Sequence, residues 1–220
     1  MTAGSWAPTD EQFESVYGPW RPRTPDDVRT FLEAYDGRWF IAGGWAIEAF
    51  TGVSRRHDDC DVSVLRSEVD AFRAFVHGRY DVWAAGSGAL KPIFADDPAT
   101  FDEVSHEGSG QVWLRPAWNQ PWEYDVLLAP GDAKTWVYKR DPSITMPMSE
   151  ALWTKDGIPY LRPEIQLLYK ARGLRPKDQQ DFEAAWPLLD PVRREWLHEM
   201  LLRTLPDHRW IRTLAERRPE

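Results

Sequence analysis

The sequence predicts an α+β protein: a mixed sheet flanked by helices, closed by a helical carboxy-terminal subdomain. Three observations predict it. Short apolar runs with strand-like alternation concentrate in the first 130 or so of the 220 residues. Proline-initiated helical segments fill the chain from Pro163 onward. Between them no repeat or low-complexity stretch separates a second unit of the same kind. Strands first and helices last is the pattern of an α+β domain. It divides the chain into residues 1–150, which carry the sheet, and residues 151–220, which carry the terminal helices.

Each element has a local cause. Residues 1–24 are rich in Pro, Gly and polar side chains and read as an irregular lead-in. Thr24-Pro25-Asp26-Asp27 supplies a cap, a first-turn proline and two acids at the positive end of a helix dipole. That helix runs to about Asp36 and stops at Gly37. Residues 38–42 form a short strand, and Gly43-Gly44 turns the chain into a helix from Trp45 to about Phe50. A polar loop after Gly52 leads to a strand over residues 59–65. Residues 68–77 read as a helix, and residues 80–84, 111–114 and 122–128 as strands. Three helices follow, over residues 163–172, 178–189 and 191–205.

Composition excludes several classes. The formal net charge is −8, with an isoelectric point near 5.2. A nucleic-acid backbone calls for a clustered basic face, so the acidity argues against that partner and suits a cationic small acceptor better. Cys60 is the only cysteine, which rules out an internal disulfide and a multi-cysteine zinc site. The first residues lack a basic segment followed by an apolar one, and FIAGGWAIEAF, the nearest thing to a membrane span, is broken by Glu48. The expectation is a cytoplasmic protein with no membrane partner. Thirteen tryptophans exceed ordinary usage and serve as core, or as walls for a ring-bearing ligand.

The most informative segment is Arg55-Arg56-His57-Asp58-Asp59-Cys60-Asp61-Val62-Ser63-Val64-Leu65. On a strand, Asp59 and Asp61 share one face while Cys60, Val62 and Val64 share the apolar other. Two carboxylates about 7 Å apart repel unless a cation lies between them, and Mg²⁺ prefers carboxylate and phosphate oxygens. Upstream, Gly43-Gly44 lies between a strand and a helix, where backbone amides can approach a phosphate. Along Trp122-Glu123-Tyr124-Asp125-Val126-Leu127-Leu128, Glu123 and Asp125 again share one face. Two acids on an apolar strand are costly unless they meet solvent or metal. Asp125, deeper in the strand, is the preferred third carboxylate and Glu123 the alternative.

These residues resemble the nucleotidyltransferase superfamily, and within it the antibiotic-modifying branch of aminoglycoside 2''-nucleotidyltransferases and lincosamide nucleotidyltransferases. The resemblance rests on Gly43-Gly44-Trp45-Ala46 followed by Arg55-x-His57-x-Asp59-x-Asp61. It extends to Tyr160-Leu161-x-Pro163-Glu164-x-Gln166-Leu167-Leu168-x-Lys170-Ala171, then Arg175-Pro176-Lys177-Asp178 and Asp181-Phe182. It covers about residues 38–66 and 122–190. It implies a nucleotidyltransferase-type sheet in residues 1–150 and a Mg²⁺-dependent transfer of a nucleoside monophosphate, AMP from ATP first among them, to a hydroxyl of a small acceptor such as an aminoglycoside or lincosamide. Asp59, Asp61 and Asp125 would hold the metal ions, Asp125 would also take the hydroxyl proton, and Gly43 and Gly44 would contact phosphate. The alternatives are a toxin-like transferase acting on RNA or protein, and an inactive nucleotide binder.

Other side chains have two readings each. Arg55 and His57 touch phosphate or simply order their loop. Lys170, one turn beyond Gln166, reaches the triphosphate or stays solvated. Lys139-Arg140 and Arg175-Pro176-Lys177 are basic clusters that read as surface rather than site. Trp113, Trp118 and Trp122 form core or one wall of an acceptor pocket.

Overall fold

Val62, Val64, Val126 and Leu128 point one way from their strands and Asp61, Ser63, Asp125 and Leu127 the other, so both faces of the central sheet are committed by alternation. The computed structural model describes residues 9–216. Its strands, in chain order, are β1 (Trp39–Ile41), β2 (Asp61–Leu65), β3 (Asp81–Gly86), β4 (Ala89–Ile93), β5 (Gln111–Arg115), β6 (Tyr124–Ala129), β7 (Thr135–Val137), β8 (Thr145–Pro147), β9 (Leu152–Lys155) and β10 (Ile158–Leu161). The helices are α1 (Asp10–Tyr17), α2 (Pro25–Phe31), α3 (Gly43–Thr51), α4 (Val69–Val76), α5 (Phe101–Val104), α6 (Met148–Ala151), α7 (Pro163–Ala171), α8 (Pro176–Ala185), α9 (Pro191–Thr204) and α10 (Trp210–Glu216).

Eight strands form one mixed sheet in the order β4-β3-β5-β6-β2-β1-β10-β9, and β7 and β8 pair separately. The β2–β6 and β1–β10 pairs are parallel and the rest antiparallel. One face packs Val62, Val64, Val112 and Val126 against Val28 and Phe31 of α2 and Phe72 of α4. The other packs Phe40 and Leu65 against Ile47 of α3 and the terminal helices, through Ile165, Leu168, Phe182 and Leu197. Two of the terminal helices start as the sequence predicts, at Pro163 and Pro191, whereas α8 starts two residues before the expected residue 178, with Pro176 in its first turn. Asp190 caps α9 by accepting from the Arg193 N–H at 2.9 Å.

The lead-in differs from the expectation. Residues 1–8 lie outside the described residues, but Thr9 and Gln12 form a capping box that starts α1. Trp20 then pairs with Trp122: Arg21 N–H donates to Trp122 O, and Trp122 N–H to Pro19 O. The strand expected from Asp59 begins at Asp61. Strands β4 and β7–β10 were not legible, being three to five residues long without clean alternation. β9 and β10 extend the main sheet past residue 150, up to Leu161.

Candidate active site

The parallel β2–β6 pair sets Asp61 opposite Asp125, and antiparallel β5 sets Trp113 opposite Asp125. All three lie on the face that carries Ser63 and Leu127. Asp125 Oδ2 accepts a hydrogen bond from Gln111 Nε2 at 2.8 Å, while its Oδ1 is buried without one. Burial pushes the Asp125 carboxyl well above the usual carboxylate range. The charges of Asp61 and then Asp59 add to the effect, and the neighbouring Trp113 indole and Lys139 pull it back. Asp61 is pushed up to about 6 by burial and then Asp59, against the opposing charges of Lys170, Lys177 and Arg175. Three carboxylates therefore act on one another. Asp59 is exposed and lies before the strand, so the strand does not fix its side chain; its backbone carbonyl accepts from the Trp45 indole at 3.1 Å.

Glu123, the alternative third carboxylate, is buried elsewhere. It pairs with Arg21 and Arg23 and accepts from the Tyr80 hydroxyl at 3.2 Å. Its charge is answered, whereas those of Asp61 and Asp125 face each other.

Gly43 and Gly44 are required by what surrounds them. Gly43 has φ +68°, and a Cβ there would fall 1.8 Å from Asp61 Oδ2. Its N–H donates to Gln166 Oε1 at 2.8 Å, a bond that takes up the donor expected to reach phosphate. A Cβ on Gly44 would fall 2.2 Å from the Arg55 guanidinium and 2.8 Å from the His57 ring. The glycine pair thus lets the carboxylate and the following loop close onto the start of α3.

Arg55, His57 and Lys170, the candidate nucleotide contacts, have their side chains bound to partners within the protein. Arg55 holds Asp181 with two hydrogen bonds of 2.9 and 3.0 Å. His57 Nε2 lies 2.7 Å from Glu48 Oε2, and its ring stacks on Trp45 at 4.2 Å. Lys170 is buried between Asp181 at 2.8 Å and Asp178 at 3.3 Å. Each therefore has at least two partners within the protein. They strap residues 52–60, and with them Asp59, to α3 and the terminal helices.

A cleft of about 480 Å³ opens beside Asp61. Gly43, Ser63, Gln111 and Gln166 line its polar side, Phe40, Leu161, Trp136 and Tyr169 its apolar side, and Lys139 and Arg140 also line it. Sequence reasoning placed that basic pair on the surface because the loop after β7 gave no sign of folding back. The structure brings it into the site: a Cβ on Gly110 would fall 2.4 Å from Lys139 Nζ. Burial, then Arg66 and Arg140, depress the Lys139 pKa, while Asp125 raises it. Arg140 lies over the Tyr169 ring at 5.5 Å and donates to the Tyr169 carbonyl. Gln111 gave no signal that separated it from ordinary polar residues, while Gln166 stood in the resemblance motif and Trp113 among the candidate walls of an acceptor pocket.

The tryptophan trio divides. Trp113 and Trp122 meet at 5.6 Å, but Trp118 is exposed and lines a different, larger hollow of about 790 Å³ that none of the three carboxylates lines.

The donor set suits a divalent ion: hard oxygens, a buried oxygen of Asp125 without a hydrogen bond, and mutually repelling carboxylates. Among the described residues no three acids, histidines or cysteines already stand at the spacing of a metal's ligands. Asp61 and Asp125 are the fixed pair, and Asp59 is the exposed third.

No family model and no curated protein matches the chain. Among solved structures the fold is similar to the lincomycin-bound lincosamide antibiotic adenylyltransferase LnuA, at 14% identity over 74% of this chain and 94% of that one, with a TM-score of 0.47. It is also similar to ANT(2'')-Ia in complex with adenylyl-2''-tobramycin, at 15% identity over 77% and 90% and a TM-score of 0.44. The solution structure of the antibiotic-resistance factor ANT(2'')-Ia matches at 17% identity over 77% and 84%, with a TM-score of 0.40. Such loose likenesses assign no chemistry to this chain.

Proposed function

We propose that the protein is a nucleotidyltransferase that moves a nucleoside monophosphate from a nucleoside triphosphate, ATP first among them, to a hydroxyl of a small acceptor. One observation carries the reading: Asp61 and Asp125 face each other in register across parallel strands, beneath a glycine that leaves room for nothing else, at the edge of a cleft that also holds Lys139 and Arg140. Buried like charges persist only where something pays for them.

Asp61 and Asp125, joined by Asp59, would hold Mg²⁺, which when bound neutralises phosphate charge and sharpens an attacking hydroxyl. Gln111 orients the Asp125 carboxylate through one oxygen, and that carboxylate would receive the hydroxyl proton. The acceptor oxygen forms a bond to the α-phosphorus. The bond from that phosphorus to the bridging oxygen breaks, and pyrophosphate leaves with the electron pair. Lys139 and Arg140 steady the charge on the departing pyrophosphate. Phe40, Trp136, Leu161 and Tyr169 offer the base an apolar, aromatic seat.

The test is a Mg²⁺-dependent assay with labelled ATP, GTP, CTP and UTP against small hydroxylated acceptors, including lincomycin and tobramycin, with tRNA and protein as separate arms. Label on a small acceptor is expected. Label only on RNA or protein would move the assignment to a macromolecular transferase. No nucleotide binding at all would end the proposal.

A further inference from the structure

The pairing that joins Asp61 to Asp125 continues across the sheet. Trp113 stands opposite Asp125, and Trp83 opposite Trp113, so two carboxylates and two indoles form one row on one face. Neighbouring strands lie about 4.8 Å apart, so Trp113 is the side chain immediately beside Asp125. Trp20, carried in by the amino-terminal segment, meets Trp113 edge-on at 5.0 Å, and buried Trp122 contacts both. Two residues along β5, about 7 Å from Trp113, Arg115 lies on the same face. Its guanidinium sits over Trp122 at 4.4 Å and Trp83 at 4.8 Å. Among the described residues it makes no ion pair, and its buried Nε has no hydrogen-bond partner. Asp81, its register partner, acts on it through charge alone.

We propose that Trp113, Trp20 and Arg115 form the acceptor subsite, and that it takes a hydroxylated ring bearing a carboxylate or comparable acid group on the side away from the reacting hydroxyl. This rests on the nucleotidyltransferase reading in one respect only, that the acceptor hydroxyl is delivered to Asp125. A hydroxyl within hydrogen-bond reach of Asp125 places the rest of its ring against the partly buried Trp113 and Trp20, whose remaining exposed surface suits the flat or C–H face of a ring. Stacked arginines keep their N–H edges ordered for bidentate contact with an oxyanion. The one charge that acts on Arg115 is Asp81, while Arg21 and Arg23 are taken up by Glu123. Although the whole chain is acidic, Arg115 is a cation with no ion pair among the described residues, and local charges outweigh net charge once a ligand is in contact.

The test uses three rings of one shape: methyl glucuronide, methyl glucoside and methyl glucosaminide, which are acidic, neutral and basic. They are titrated into the ¹⁵N-labelled full chain, and indole N–H signals are assigned with Trp20→Phe and Trp113→Phe. The expected result is movement of the Trp113 and Trp20 signals, with the glucuronide bound about tenfold or more tightly than the glucosaminide, the size of one charge-assisted contact. Arg115→Met, which keeps the apolar stem, should erase that preference, and Arg115→Glu should reverse it. Equal or stronger binding of the glucosaminide, a preference that survives Arg115→Met, or the failure of all three rings to move either indole would each overturn the proposal. Mg-ATP titrated in the same spectra is read at the Trp136 indole in the cleft. Silence there sinks the nucleotidyltransferase reading without touching the ring subsite, so the two failures are told apart.

Discussion

Two buried charge clusters stand on either side of residues 52–60, and they are built on opposite rules. In the first, Lys170 and Arg55 share Asp181, and Lys170 and Arg175 share Asp178; every charge has a partner within hydrogen-bond distance. In the second, Asp61 and Asp125 face each other under burial, with Asp59 adding a third negative charge. The first is a closed network of the kind that holds elements in one arrangement. The second is destabilising as it stands, and under the proposed function the metal it would hold offsets that cost. Satisfied buried charge points to architecture, and unsatisfied buried like charge points to chemistry.

Neutralising the second cluster separates the two rules most sharply. Asp125→Asn should cut the transfer step by about 10²–10⁴-fold while sparing most Mg-nucleotide affinity. The same change should raise the metal-free melting temperature by about 2–4 °C, since relieving roughly 1 kcal/mol of repulsion shifts a chain of this size by that much. Asp61→Asn should abolish transfer with the same gain in stability. Full activity in either variant, measured with saturating Mg²⁺ and nucleotide, would remove these residues from the site.

Neutralising the first cluster should do the reverse. Asp181→Leu leaves buried Lys170 and Arg55 short of a counter-charge, and breaking such a pair costs about 3–5 kcal/mol. Denaturant unfolding should show that loss. If Asp181→Leu kept wild-type stability but lost nucleotide affinity, Arg55 and Lys170 would belong to the ligand after all.

The sequence made the carboxylate row and the terminal helices legible for the same reason: both are written in local spacing. Asp61 and Asp125 sit among alternating Val and Leu, and Pro163, Pro176 and Pro191 each open a helix. The partners of Arg55 and Lys170 lie 126 and 11 or fewer residues away and are decided by packing, which spacing does not encode. Lys139 was unreadable for a like reason: it enters the site only because the loop after β7 folds over Gly110. Replacing it gives the next effect in size. Lys139→Met should weaken pyrophosphate and ATP binding by about tenfold, the scale of one charge-assisted contact, with no loss of fold, because it removes a half-buried cation that has no ion pair among the described residues. Calorimetric titration of pyrophosphate reads this directly, and unchanged affinity would return Lys139 to the surface role its sequence suggested.

The smallest expected effect comes from Glu123, the acid that alternation along the chain could not distinguish from Asp125. Its carboxylate is enclosed by Arg21, Arg23 and the Tyr80 hydroxyl, so it follows the rule of the closed network although it lies two residues from the open one. Glu123→Gln keeps the shape and loses the charge, leaving Arg23, whose side chain is 24% exposed, to find solvent. The cost should be about 1–2 kcal/mol, reduced by that exposure, with transfer rate and Mg²⁺ dependence close to wild type. Measuring both in one variant decides between the two acids. A drop in rate matching that of Asp125→Asn, with stability unchanged, would make Glu123 the third carboxylate and leave Asp125 a buried acid in need of another explanation.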